Sequence, residues 1–233
     1  MHEIKEFPTR AAMVTFLQGE ISARLKADIA SAGRAGWAVS GGSTPAPLFR
    51  AIRGQPLDWR RVTISLVDER WVPVEHPRSN EAFIRRDLLQ DRAAAARFVG
   101  MWRAGSSLFE AQHSVNRDYA KAAPFSSILL GMGGDGHIAS LFPDADGLEV
   151  AFDPGNPLIC TALRARASTV TGAELERMSL TAAAIAMTDH VVLMITGAEK
   201  QAVFDRATAP SSALPIARLM RMRRQPLHVV WAP

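Results

Sequence analysis

Short, continuous apolar runs recur along the chain: "GWAVSGG" from Gly36, "VTISLV" at 62–67, "FVGMW" at 98–102, "SSILLGM" at 126–132, "LICTAL" at 158–163, "HVVLMIT" at 190–196 and "LHVVW" at 227–231. Runs of this length, rich in β-branched residues, predict strands buried on both faces. Between them, apolar positions return every three or four residues. Met13, Phe16, Leu17, Ile21, Leu25 and Ile29 form one stripe of a helix over about 9–32. "SLFEAQHSVNRDYAKA" opens with a capping box, Ser107 to Glu110, and carries Leu108, Ala111, Val115 and Tyr119 on one face. "SNEAFIRRDLL" and "GAEKQAVFDRAT" predict two more helices. Strands alternating with helices of this length imply βαβ units, hence one α/β domain with a mainly parallel sheet and helices on both faces. The stretch 143–177, rich in Pro, Gly, Thr and Ala, reads as a long loop over that sheet.

Composition narrows the partners more than the fold. The 233 residues are 48% hydrophobic and 21% charged, with a formal net charge of +4. That balance suits a soluble globular protein that meets a small anionic ligand. "RLMRMRRQP" at 218–226 is the densest basic stretch and reads as a solvated helix end, so no nucleic-acid partner is expected. The lone Cys160 lies in an apolar run, which fits a small packed hydrophobe in a reducing compartment. "MHEIKEFPTR" has no apolar leader core, and no apolar stretch approaches a membrane span, so a cytoplasmic location is expected. No His, Cys, Asp or Glu cluster has catalytic zinc spacing, so no metal is expected.

In open α/β sheets ligands bind at the carboxyl ends of the strands, and several strands here end in unusual residues. "SGGSTP" leaves its strand through Gly41 and Gly42, with Ser43 following, Thr44 placed to cap a helix and Pro45 in its first position. Such a junction suits an anion, and it is equally an ordinary tight turn. Asp68, Glu69 and Arg70 follow "TISL" directly, and Arg78, Ser79 and Asn80 open a helix shortly after. Polar groups therefore gather twice at one edge. In "GMGGDGHIASLFP" the glycines 131, 133, 134 and 136 surround Asp135 and lead to His137. His137 is expected at a helix N-terminus, whose dipole keeps an imidazole neutral and able to act as a base. Asp135 either orients that ring or binds a hydroxyl. Lys200, in the first turn of the helix after "IT", either extends into solvent or meets an anion. His113 is expected to be solvated, and His190 and His228 to be structural.

Together and in this order, "SGGSTPAPLF", "DERWVP" with "RSN", "LLGMGGDGHIASLFP", "RMSLT" and "GAEK" resemble the 6-phosphogluconolactonase family, within the wider glucosamine-6-phosphate isomerase-like group. The resemblance implies a modified Rossmann-like sheet and hydrolysis of 6-phosphoglucono-1,5-lactone without metal or organic cofactor. By this resemblance His137 is the general base, Arg177 and Lys200 meet the sugar phosphate, and Ser43 helps hold substrate. Gly41, Gly42, Thr44, Asp68, Arg70, Arg78, Asn80 and Gly134 complete the expected substrate-binding set. A proline-rich, lysine-bearing stretch common in the family is replaced here by "RARASTVTGAELERMSLT", leaving Arg164 or Arg166 to stand in. A glucosamine-6-phosphate deaminase shares several of these elements but carries a supporting glutamate where this chain has Phe142. A non-catalytic sugar-phosphate sensor would carry a DNA-binding segment ahead of the first strand, where this chain reads as one helix.

Overall fold

The computed structural model describes residues 4–233. Its main sheet uses seven strands: β1 (Ile4–Glu6), β2 (Ala35–Val39), β3 (Val62–Leu66), β5 (Arg97–Val99), β6 (Ser127–Leu130), β9 (Val191–Thr196) and β10 (His228–Ala232). They lie in the order β1-β10-β9-β6-β2-β3-β5, and every pairing is parallel. A small antiparallel sheet adds β4 (Asp68–Arg70), β7 (Cys160–Arg164) and β8 (Glu176–Leu180) in the order β4-β8-β7. Every residue of β2 is buried, so side chains on both faces of the sheet are covered, as its unbroken apolar run predicts.

The long helices follow their apolar stripes. Helix α1 (Arg10–Ala32) is capped by the Thr9 side chain and buries Met13, Leu17, Ile21 and Leu25. Helices α2 (Ala46–Ile52), α3 (Asn80–Asp87) and α4 (Leu108–Ala122) come next, and the Ser107–Glu110 capping box opens α4 as its sequence requires. Tyr119 of α4 donates through its hydroxyl to the Leu66 carbonyl at 3.0 Å, fastening the helix to β3. The shorter α5 (Leu148–Ala151) and α6 (Ala182–Ala186) precede α7 (Gly197–Ala207) and α8 (Pro215–Met222). Among the described residues no helix is long and apolar enough to cross a membrane.

The structure departs from the sequence pattern at several points. A strand, β1, precedes α1 and adds to the sheet edge beside β10; its short, half-polar "IKE" carries no period that would mark it. "LICTAL" does form a strand, but in the small sheet, because it pairs antiparallel with β8. The stretch 143–177 is therefore no loop: it holds α5, β7 and the start of β8. Pro45, not Thr44, occupies the cap position of α2, and no side chain caps that helix. The basic stretch at 218–226 is a helix end with Arg221 and Arg224 exposed, as expected, but one of its arginines turns inward. Arg223 is buried, and its guanidinium donates to the carbonyls of Ile185, Thr188 and Asp189, closing off α6. Cys160 is buried, as expected.

Strand order fixes where a crevice opens. From β2 the chain runs outward through β3 to β5, then crosses back to lay β6 on the other side of β2 and continues to β9 and β10. Connections leave β2 and β6 in opposite directions, which separates the loops at their carboxyl ends.

Candidate active site

A cavity of about 560 Å³ lies at that crossing point. Its wall includes the β2 loop (Ser40 to Pro45), Asp68 and Arg70 of β4, Asn80 at the start of α3, Gly131 and His137 of the β6 loop, Arg177 of β8 and Lys200 of α7. Of the residues the sequence singled out, Gly41, Gly42, Ser43, Thr44, Asp68, Arg70, Asn80, His137, Arg177 and Lys200 converge here. Asp135, Gly134 and Arg78 do not line the cavity, and neither do Arg164 and Arg166. Arg78 instead pairs with Glu174 at 2.9 Å, and Arg166 donates to the Asp144 carbonyl at 2.8 Å. Ahead of Arg177, the segment lacking the family's prolines reaches the wall through Val170, an apolar contact with no charge to offer.

His137 is not at a helix N-terminus; it follows a glycine turn and leads into another turn. The expected dipole effect therefore does not apply, and a side chain takes its place. The Asp135 carboxylate accepts from His137 Nδ1 at 2.6 Å and from the His137 backbone N–H at 3.2 Å. A proton held on Nδ1 leaves Nε2 as the lone-pair nitrogen. Burial pushes the Asp135 carboxyl up, but the hydrogen bonds and charge of His137 outweigh it and bring the group below its ordinary range. On the other side, the Phe142 ring lies against the imidazole with centroids 4.1 Å apart. The ring is thus fixed at one edge by a carboxylate and on one face by a phenyl group.

One glycine of this loop makes room for the protein's own side chains. A Cβ on Gly133 would lie 2.0 Å from His137 Nδ1 and 2.5 Å from Asp135 Oδ1, so only glycine leaves room for the pair. Gly136 has φ +76°, a left-handed conformation that favours glycine. Gly131, by contrast, faces open space on the cavity wall. The β2 and β6 loops are tied by Ser40, whose hydroxyl donates to the Leu129 carbonyl at 3.0 Å and accepts from the Gly131 N–H at 3.3 Å.

The two polar clusters read from the sequence are joined by Glu69. This side chain is fully buried and points away from the cavity, toward the start of α3. Its Oε1 accepts from the Asn80 N–H, and its Oε2 from the Ser79 hydroxyl and the Glu81 N–H, at 2.8, 3.0 and 2.8 Å. An anion at a helix N-terminus is favourable. Burial nevertheless pushes the Glu69 carboxyl up to about 7, against the pull of those backbone donors. With α3 so anchored, the Asn80 side chain accepts from Arg70 Nη1 at 2.6 Å and donates to the Asp68 carbonyl at 2.8 Å. Asp68 in turn accepts from the Ser140 hydroxyl at 2.6 Å. Ser140 is not singled out by the sequence; its position within "HIASLFP" is the only available signal.

Three cations reach the wall: Arg70, Arg177 and Lys200. Burial pushes the Arg177 guanidinium down to about 10, which leaves it charged at neutral pH. Its Nη2 donates to the Thr171 carbonyl at 2.8 Å, and it sits over the Phe142 ring at 5.3 Å. The Arg70 Nε is buried without a partner among the described residues.

Residues 8–231 match the family described as glucosamine-6-phosphate isomerases/6-phosphogluconolactonase. The chain is 39% identical to the 6-phosphogluconolactonase of Mesorhizobium japonicum over 228 residues, 97% of this chain and 94% of that protein. It is likewise 39% identical to the 6-phosphogluconolactonase of Rhizobium meliloti over 231 residues, covering 97% of each. The crystal structure of a 6-phosphogluconolactonase from Shewanella baltica superposes with a TM-score of 0.93 at 32% identity, covering 100% of this chain and 98% of that one.

Proposed function

The chain belongs to the glucosamine-6-phosphate isomerase/6-phosphogluconolactonase family, and from that premise we propose that it hydrolyses 6-phospho-D-glucono-1,5-lactone to 6-phospho-D-gluconate with His137 as general base. The observation that carries the mechanism is the Asp135–His137 pair, which holds a proton on Nδ1 and leaves Nε2 as the base at the wall of a cation-lined cavity.

In this reading Nε2 takes a proton from water as the water oxygen attacks the lactone carbonyl. The oxyanion that forms is stabilised by N–H groups of the glycine-rich turns. The ionised Asp135 stabilises the imidazolium. The ring oxygen must be protonated as the C–O bond breaks, and the imidazolium returns its proton there. Arg177 and Lys200 hold the 6-phosphate; Arg70, Asp68 and Asn80, with the Gly41 to Thr44 turn, hold the sugar.

Deaminase chemistry is disfavoured by the absence of a second carboxylate at position 142; Asp135 is the imidazole's carboxylate partner among the described residues. The phenyl ring of Phe142, packed on His137, can neither accept a proton nor polarise the ring. The test is a continuous assay with freshly generated lactone, corrected for spontaneous hydrolysis, on wild type and His137→Asn. Asparagine cannot act as the base, so kcat should fall by roughly 10²–10⁴-fold with little change in KM. A folded His137→Asn protein with wild-type kcat would remove the base from the mechanism.

A further inference from the structure

At the opposite, amino-terminal end of the sheet, three side chains from distant segments converge. Glu20 comes from α1, His190 immediately precedes β9, and His228 begins β10. Both histidines read as structural from the sequence, where no short spacing links them to Glu20. Here His190 and Glu20 are 170 positions apart, a separation that spacing rules do not reach.

The geometry points to a divalent transition-metal site of the zinc class: we propose that Glu20, His190 and His228 together bind one Zn²⁺. One ligand atom from each lies within 4.8 Å of the other two. Glu20 Oε1 is 3.4 Å from His190 Nε2 and 3.4 Å from His228 Nδ1. A direct carboxylate–imidazolium contact closes to about 2.7–2.9 Å. A tetrahedral ion with bonds of about 2.0–2.1 Å instead separates its ligands by about 3.3 Å. Both contacts of Glu20 are long for hydrogen bonds and match a coordination edge, with the two imidazoles within 4.8 Å of each other.

Supporting contacts agree. His190 Nδ1 lies 2.9 Å from the Ser127 hydroxyl, a partner that orients the ring and aims Nε2 at Glu20. The second carboxylate oxygen, Glu20 Oε2, is buried with no hydrogen-bond partner among the described residues, leaving it able to coordinate or to hold an ion-bound water. The three residues line a cavity of about 900 Å³, so the fourth coordination position opens onto solvent-accessible space. Lys5 and Arg24 line the same cavity and would favour an anion in that position, while Asp189 adds a further carboxylate. Two neutral imidazoles and one carboxylate suit zinc more than calcium or magnesium, which prefer all-oxygen sets.

The site is remote from the catalytic one. Its histidines precede β9 and open β10, whereas Lys200 follows the carboxyl end of β9, about 20 Å away along the strand. The ion would tie α1 to the two strands and act on stability, not turnover.

The experiment uses full-length protein stripped with chelator, titrated with ZnCl₂ by calorimetry and with Co²⁺ by visible absorption. The expected result is one equivalent bound, tetrahedral-type cobalt bands, and a rise in Tm of roughly 5–10 °C at a hundredfold excess of zinc over Kd. His228→Ala and Glu20→Gln should each weaken binding at least tenfold, while His113→Ala should not. Lactone hydrolysis should be unchanged in His228→Ala. His228 is half-exposed, so its alanine variant is expected to fold, with circular dichroism as the check. Absence of a saturable site near one equivalent would overturn the proposal, as would wild-type affinity in both variants.

Discussion

Replacing Asp135 with asparagine separates orientation of the base from binding of the sugar. The Asp135–His137 contact of 2.6 Å is charge-assisted. Such bonds contribute roughly 1.5–3 kcal/mol, and each 1.4 kcal/mol is tenfold in rate. Asp135→Asn should therefore lower kcat by about 10- to 150-fold. KM should change little, because Asp135 stands behind the imidazole and not on the cavity wall. The pH profile provides a second readout. Since the Asp135 carboxyl is held below its ordinary range, it stays ionised through neutral pH and is not the group whose protonation ends activity in acid. The acid side of the profile therefore reports on another group in both proteins. Steady-state kinetics from pH 5 to 9 on both proteins checks this. A fall in kcat/KM carried by KM alone would refute the orienting role and make Asp135 a ligand for a sugar hydroxyl.

Lys200→Ala and Arg177→Ala should each cost about 10- to 100-fold in kcat/KM, mostly through KM; equal loss with an unphosphorylated lactone would dismiss the phosphate assignment. Gly133→Ala forces a Cβ into the His137 ring and should lower kcat by about 100-fold in a folded protein, read by the same assay with circular dichroism as control. Dialysis against EDTA should leave hydrolysis intact; activity that returns only with a divalent ion would overturn the base mechanism. Hydrogen bonding to His190, then to His228, holds Glu20 at about 2, down from 4.5. A depressed carboxylate stabilises the fold above its unfolded value and loses that contribution as pH falls toward its folded one. In metal-free protein up to about 3 kcal/mol should therefore disappear between pH 4.5 and 2, and Glu20→Gln should flatten that slope in urea titrations.

Much of the fold was legible because burial on both faces leaves an unbroken apolar run, as in β2, β3, β6 and β9. The run alone does not name a strand's partner, which is why Cys160–Arg164 was expected in the wrong sheet. Asp68–Arg70 pairs in the small sheet although nothing in "DER" alternates; its partner β8 decides it. At the site, the sequence marks the loops but not what Gly133 accommodates. Gly133 is required by the His137 ring, a contact set by tertiary structure. The expected helix at His137 failed for a related reason: Ala139, with φ +48°, turns the chain before any helix can start. Glu20, His190 and His228 were illegible together because only the parallel pairing of β9 and β10 sets the two histidines side by side.

The crevice between β2 and β6 exists because two crossovers leave in opposite directions, not because side chains prop it open. Changing the His137 side chain should therefore leave an intact receptor: a protein that still selects its phosphorylated sugar but no longer destroys it. In the proposed mechanism one residue of this scaffold separates a catalyst from a detector. A His137→Asn chain, slow enough to stay loaded, would make a usable probe of lactone concentration.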